Sequence, residues 1–124
     1  MSTFSTTDLY EKSVGIGGSV TQITSKATGV TLNANTGAIT MHNANLATLT
    51  PVTFTLTNSA IVAGSVDKCV VVVNHVSAGT SGAYMVQANT IATGSCKITV
   101  FNTTAGTLGE AIVLNFKVIP IQVA

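Results

Sequence analysis

The stretch "VTFTLTN" (52–58) sets Val52, Phe54 and Leu56 on one face of an extended chain and Thr53, Thr55 and Thr57 on the other. A period of two marks a half-buried β-strand, because successive side chains of a strand point to opposite faces. The same period recurs from residue 20 onward and constrains the fold more than any other feature. "VTQITS" (20–25), "VTLN" (30–33) and "AITM" (38–41) are shorter pieces of this kind. "AYMVQANTIA" (83–92), "CKITVFN" (96–102) and "AIVLNFKVI" (111–119) are longer, the last with Ile112, Leu114, Phe116 and Val118 on one face. "CVVVVNHVS" (69–77) is apolar on both faces at first, which predicts a central strand.

Between these runs lie "KATG", "NANTG", "AGTSG", "ATGS" and "TTAGTLG". Each combines Gly with Thr, Ser or Asn, residues that supply positive φ or local side-chain bonds in turns. About eight short strands at this spacing predict an all-β fold, an antiparallel β-sandwich of jelly-roll-like form. Within it, "KATGVTLNANTGAITM" (26–41) is expected to be a hairpin with Val30 and Leu32 inward and Thr31 outward. Residues 1–18 read as an N-terminal arm ending in the glycine joint "GIGGS", and 19–124 as the sandwich domain. The isolated Phe4, Leu9 and Tyr10 fit an arm that lies down on something; a frayed terminus fits equally.

The surface implied by this pattern is unusual. Hydrophobic residues make up 46% of the 124 but charged ones only 7%, against a usual share of about 25%. The polarity sits instead in 21 Thr, 10 Ser and 9 Asn. Net charge is +1, and the five Lys and four acids are scattered singly. Nucleic-acid binding needs clustered cations, and a membrane-surface helix needs a basic face; the chain has neither. The most apolar run, "AIVLNFKVIPIQVA", is too short for a helical span of about 20 residues and contains Asn115, Lys117 and Pro120. The start, "MSTFSTTDLYEKS", has no basic and apolar regions of the secretory kind, so no export signal is expected. Cys69 and Cys96 have no metal or redox spacing. They are expected to be free thiols, with a disulfide as the alternative if their strands are neighbours.

Chemistry is sparse. His42 and His75 lie far apart and form no motif with an acid or Cys, so no metal is expected. His75 fits a hydrogen-bonded structural role, or a pH-sensitive contact at a subunit boundary. No G-x-S-x-G sequence occurs, and a carboxylate pair would have to come from Asp8, Glu11, Asp67 and Glu110. Two of those lie in the arm and two where turns enter strands, so the chain is not expected to be an enzyme. "GIGG" lacks the flanking strand and helix of a phosphate loop, and no cofactor is expected. Sugar binding by stacking needs a row of exposed rings, and Tyr84 alone fits platform or core equally.

The segments "TSKATGVTLN", "TGAITM", "FTLTNSAI", "VVVVNHVS", "GAYMVQAN" and "GEAIVLNF" together span 24–119. In combination they resemble a family of small structural proteins from the virions of tailed bacteriophages. The resemblance implies a virion component assembled in the host cytoplasm, with a capsid decoration (cement) protein as the preferred role. It also implies a homotrimer whose partner is the major capsid protein or another virion protein, without nucleic acid or membrane. No catalytic residue is carried over. The alternative is a fibre or tail appendage module with a host-receptor or glycan role, its recognition surface at loops such as "SAGTSGAY" (77–84). The interface is expected to use Phe4, Leu9 and Tyr10 of the arm with Ile119, Pro120, Ile121 and Val123 of "VIPIQVA". Pro120 there fits an edge strand or bulge.

Overall fold

The computed structural model describes residues 17–123. Among them there is no helix, and eight strands form: β1 (Gly18–Thr21), β2 (Val30–Thr31), β3 (Thr36–Thr40), β4 (Pro51–Thr57), β5 (Asp67–Ser77), β6 (Tyr84–Ala92), β7 (Ser95–Asn102) and β8 (Val113–Gln122). Each falls within or beside a period-two run. The strands make two four-stranded sheets, ordered β1-β3-β8-β5 and β2-β4-β7-β6.

One apolar core joins them. Ile39, Val73, Leu114, Phe116 and Val118 of the first sheet and Val30, Phe54, Leu56, Cys96, Ile98 and Val100 of the second belong to a single buried cluster. The architecture is therefore of the sandwich kind. The inward set expected for the last strand, Ile112, Leu114, Phe116 and Val118, is buried in full. So are Phe54 and Leu56, while Val52 is half-buried and Thr53 and Thr57 face outward.

Three expectations are corrected. First, the sheets are mixed rather than antiparallel: β1 pairs with β3, and β2 with β4, in parallel. The first four strands alternate between sheets, so a strand meets its sheet-mate after two crossings that restore its direction. Second, 26–41 is not a hairpin, because β2 and β3 lie in different sheets. The 32–35 turn is held to the end of β4, in the sheet of β2, with Leu32 N–H donating to Thr57 O. The buried Asn58 amide donates to Ala34 O (2.7 Å) and accepts from Ala34 N–H (3.2 Å). The facing is still as expected: Val30 is buried, Thr31 exposed and Leu32 packed against the core. Third, β5 is an edge strand rather than a central one. Its valines alternate, with Val73 buried and Val70, Val72 and Val76 exposed.

The end of the sandwich bearing the 22–28, 41–46 and 103–112 loops is tied by buried polar side chains. Gln22 donates to Lys26 O (2.8 Å) and Thr28 O (3.0 Å) and accepts from His42 N–H (3.0 Å). Asn102 donates to Leu46 O (3.0 Å) and Gly106 O (2.9 Å) and accepts from Thr104 N–H (2.9 Å). No described buried side-chain nitrogen or oxygen lacks a hydrogen-bond partner. That is the condition for burying such groups without a net penalty.

Candidate interaction surface

β8 is ten residues long, but β3 covers only its first half, pairing Thr36 with Lys117 through Thr40 with Val113. Among the described residues the second half is paired with β5 alone, with Val70 opposite Ile119 and Lys68 opposite Ile121. Alternation places these residues on the outer face of the sheet. Ile119 (39% exposed), Ile121 (41%), Val70 (45%) and Val72 (42%) therefore stand together in water. Val66 and Val123, joined by Val123 N–H donating to Val66 O, extend the strip and are also exposed. Lys68 and Lys117 flank it, the latter opposite Val72. A contiguous exposed apolar patch on a sheet edge marks an interaction site more often than scattered single residues do.

Of the interface residues expected from sequence, Ile119, Ile121 and Val123 are exposed on this strip, while Pro120 is exposed on the opposite face of the strand, across from Cys69. Phe4, Leu9 and Tyr10, with the arm expected over 1–18 up to residue 16, lie outside the described residues. Val118 N–H donates to Asn35 O (2.6 Å), so the backbone of 118, 120 and 122 points to the side that β3 leaves uncovered. Pro120 therefore forfeits no ladder bond, the usual condition for proline in a strand. Val66, Val70 and Val72 were missed by sequence reasoning. Their signal was the two-sided valine run, which reads as a doubly covered strand unless one face is left open for something outside the described sheet.

The second sheet presents threonine outward. Thr53 and Thr99 share a hydroxyl–hydroxyl hydrogen bond (2.9 Å), and Asn89 donates to Thr99 Oγ1 (3.0 Å). Beside them Pro51, Phe101 and Met85 form one row across β4, β7 and β6. They line a concavity of about 320 Å³ together with Val86, Gln87 and Thr99. Met85 is 67% exposed there.

The polar groups weighed for chemistry are engaged in structure. The Glu110 carboxylate accepts from Tyr84 Oη (2.7 Å), Thr80 N–H (2.9 Å) and Thr80 Oγ1 (2.8 Å). These donors, the Tyr84 hydroxyl first, hold it below the usual carboxylate range. Burial, then Glu110, raises the Tyr84 phenol. His75 meets the Tyr84 ring edge-on at 5.4 Å, and its Nε2 lies 2.6 Å from Ala78 O, bracing the 78–83 loop. Asp67 begins β5 opposite Gln122 while Glu110 precedes the other end of β8. The two acids are thus separated by roughly 30 Å of strand and form no carboxylate pair. Among the described residues no group of three or more His, Cys, Asp or Glu could hold a metal. Cys69 and Cys96 are free thiols, one half-buried and one buried. No helix among the described residues is long and apolar enough to cross a membrane.

Comparisons with models of protein families, with curated proteins and with solved structures gave no match.

Proposed function

We propose that this chain is a structural component of a tailed-bacteriophage virion, a capsid decoration protein that binds the outside of the head and stabilises it. The observation that carries the reading is the exposed strip of Val70, Val72, Ile119 and Ile121 on an otherwise neutral, threonine-rich molecule. Attachment to a shell by apolar contact needs such a strip and little charge. Outward threonine hydroxyls bonded to one another let many copies sit side by side without the repulsion that like charges would bring. The resemblance in 24–119 to virion structural proteins points the same way. In this reading the fold is jelly-roll-like only in the loose sense of two sheets linked by repeated crossings, and the chain acts as a homotrimer, closed symmetry being the default of assemblies.

The test is binding of the purified chain to heads that lack decoration, compared with an Ile119→Asp/Ile121→Asp variant. The double variant is expected to lose binding while keeping its circular dichroism spectrum. Undiminished binding removes the strip from the account. Sedimentation as a monomer at working concentrations would count against the trimer. A glycan array positive for the wild-type chain, with labelling at the tail, would favour the appendage reading.

A further inference from the structure

The two sheets of a sandwich turn their outer faces in opposite directions, and the face of the second is unlike the apolar strip of the first. Its rows follow the register of β4, β7 and β6. Pro51, Phe101 and Met85 make one row, Thr53, Thr99 and Gln87 the next, and Thr55, Lys97 and Asn89 the third. The face thus passes from apolar groups to hydroxyls and a carboxamide over the roughly 7 Å between successive rows.

We propose that the concavity over the first two rows is a binding site for a neutral pyranose sugar, held by Phe101 and Met85 on one side and by Gln87 and Thr99 on the other. The inference goes beyond the virion reading and does not rest on it. The two are compatible, because setting the strip of the first sheet against a shell leaves this face turned to the medium.

Four observations carry it. Size is the first: about 320 Å³ lies at the small end of ligand sites and suits one sugar ring rather than a protein surface. Chemistry is the second. None of the described residues that line the concavity is charged, and apolar and polar groups stand at separate ends of it. A pyranose divides in the same way, with C–H groups on its ring faces and hydroxyls around its rim. The faintly positive C–H groups are drawn to the negative face of an aromatic ring, and the soft Met85 thioether adapts to them. An ionised ligand would find no opposite charge there to offset its desolvation. Availability is the third. Met85 is 67% exposed and Phe101 half-buried. Gln87 is exposed, and among the described residues its carboxamide has no hydrogen-bond partner, leaving two donors and an acceptor for a ligand. Order is the fourth. Thr99 Oγ1 accepts from Asn89 (3.0 Å) and shares a hydrogen bond with Thr53 Oγ1 (2.9 Å). Whichever hydroxyl donates, Thr99 keeps one hydrogen-bonding position free, and its orientation is set before a ligand arrives.

The test is a titration of the full chain with the methyl glycosides of glucose, galactose, mannose and N-acetylglucosamine. NMR signals of the Gln87 carboxamide and the Met85 methyl report the binding. A ligand of about a dozen non-hydrogen atoms on an open site is expected to bind with a Kd of order millimolar. At least one of these sugars should shift both signals to saturation. Gln87→Ala should weaken that binding about fivefold, the worth of one hydrogen bond. Phe101→Leu, which keeps an apolar side chain but no ring, should weaken it by about the same factor. Gln87 stands at the surface, so its replacement reads on the site without threatening the fold, and circular dichroism of both variants checks this. Absence of saturable shifts with every one of the sugars would overturn the proposal. Binding that neither substitution weakens would overturn it too, since the sugar would then sit elsewhere. So would Met85 shifts that follow chain concentration instead of added sugar, the occupant of the face being then a second copy.

Discussion

The Lys26 ammonium, on a residue only 3% exposed, donates to the main-chain oxygen of Glu110 at 2.6 Å. The same nitrogen donates to His42 O, so one side chain ties three loops at one end of the sandwich. Burial holds this ammonium below the usual lysine range, and the Glu110 carboxylate opposes part of that shift. Lys26→Met keeps the stem but leaves two carbonyl oxygens without their donor. A loss of about 2–3 kcal/mol is expected, read from the urea midpoint at constant m-value.

Glu110 makes stability depend on pH. Its folded pKa is depressed by the Tyr84 hydroxyl and Thr80. The contribution is thus fully present above the unfolded value of 4.5 and is lost as pH falls through the folded pKa. Wild type should exceed Glu110→Gln in melting temperature at pH 7, and the gap should close progressively below about pH 4.5. A gap that stayed constant down to pH 2 would contradict the assignment.

Gly37 is required for space rather than for its backbone angles. A Cβ there would lie 2.4 Å from Leu32 Cδ2 and 2.9 Å from Phe116 Cε2. Gly37→Ala should cost about 1–3 kcal/mol through overpacking. Combining it with Leu32→Ala should cost less than the sum of the two single changes, because the cavity made at 32 admits the new methyl. A double-mutant cycle by chemical denaturation measures that coupling.

Cys96 should be inert in the native chain. Burial, then the neighbouring Cys69, raises its thiol from 9.0 to about 11. The thiolate fraction at pH 8 falls by about a hundredfold, before any steric protection is counted. Labelling with a soluble disulfide reagent at pH 8, followed by peptide mapping, should find Cys96 modified only in denaturant.

How much of this was legible in the sequence differs by element. Val30 and Thr31 announced their faces through local alternation and kept them, although their expected hairpin partner lies in the other sheet. "CVVVV" announced a strand correctly and its neighbours wrongly, because an exposed apolar face and a covered one are written with the same residues. Ile119, Pro120, Ile121 and Val123 stood out through their break in phase and are all exposed, Pro120 on the face opposite to the other three. Val70 and Val72 join them only through the β5–β8 register. The Glu110 cluster had no signal, since Thr80 and Tyr84 lie some 30 residues away along the chain.

The sequence by itself determined where the strands run and which way each side chain points, because a period of two is a property of neighbours along the chain. The tertiary structure decided which strands meet, which sheet edge stays open and which loops are locked. Those outcomes depend on bonds such as Asn58 to Ala34, Asn102 to Leu46 and Lys26 to Glu110, which span 24, 56 and 84 residues. A donor finds such a partner only after the core has brought distant turns to the same end of the sandwich.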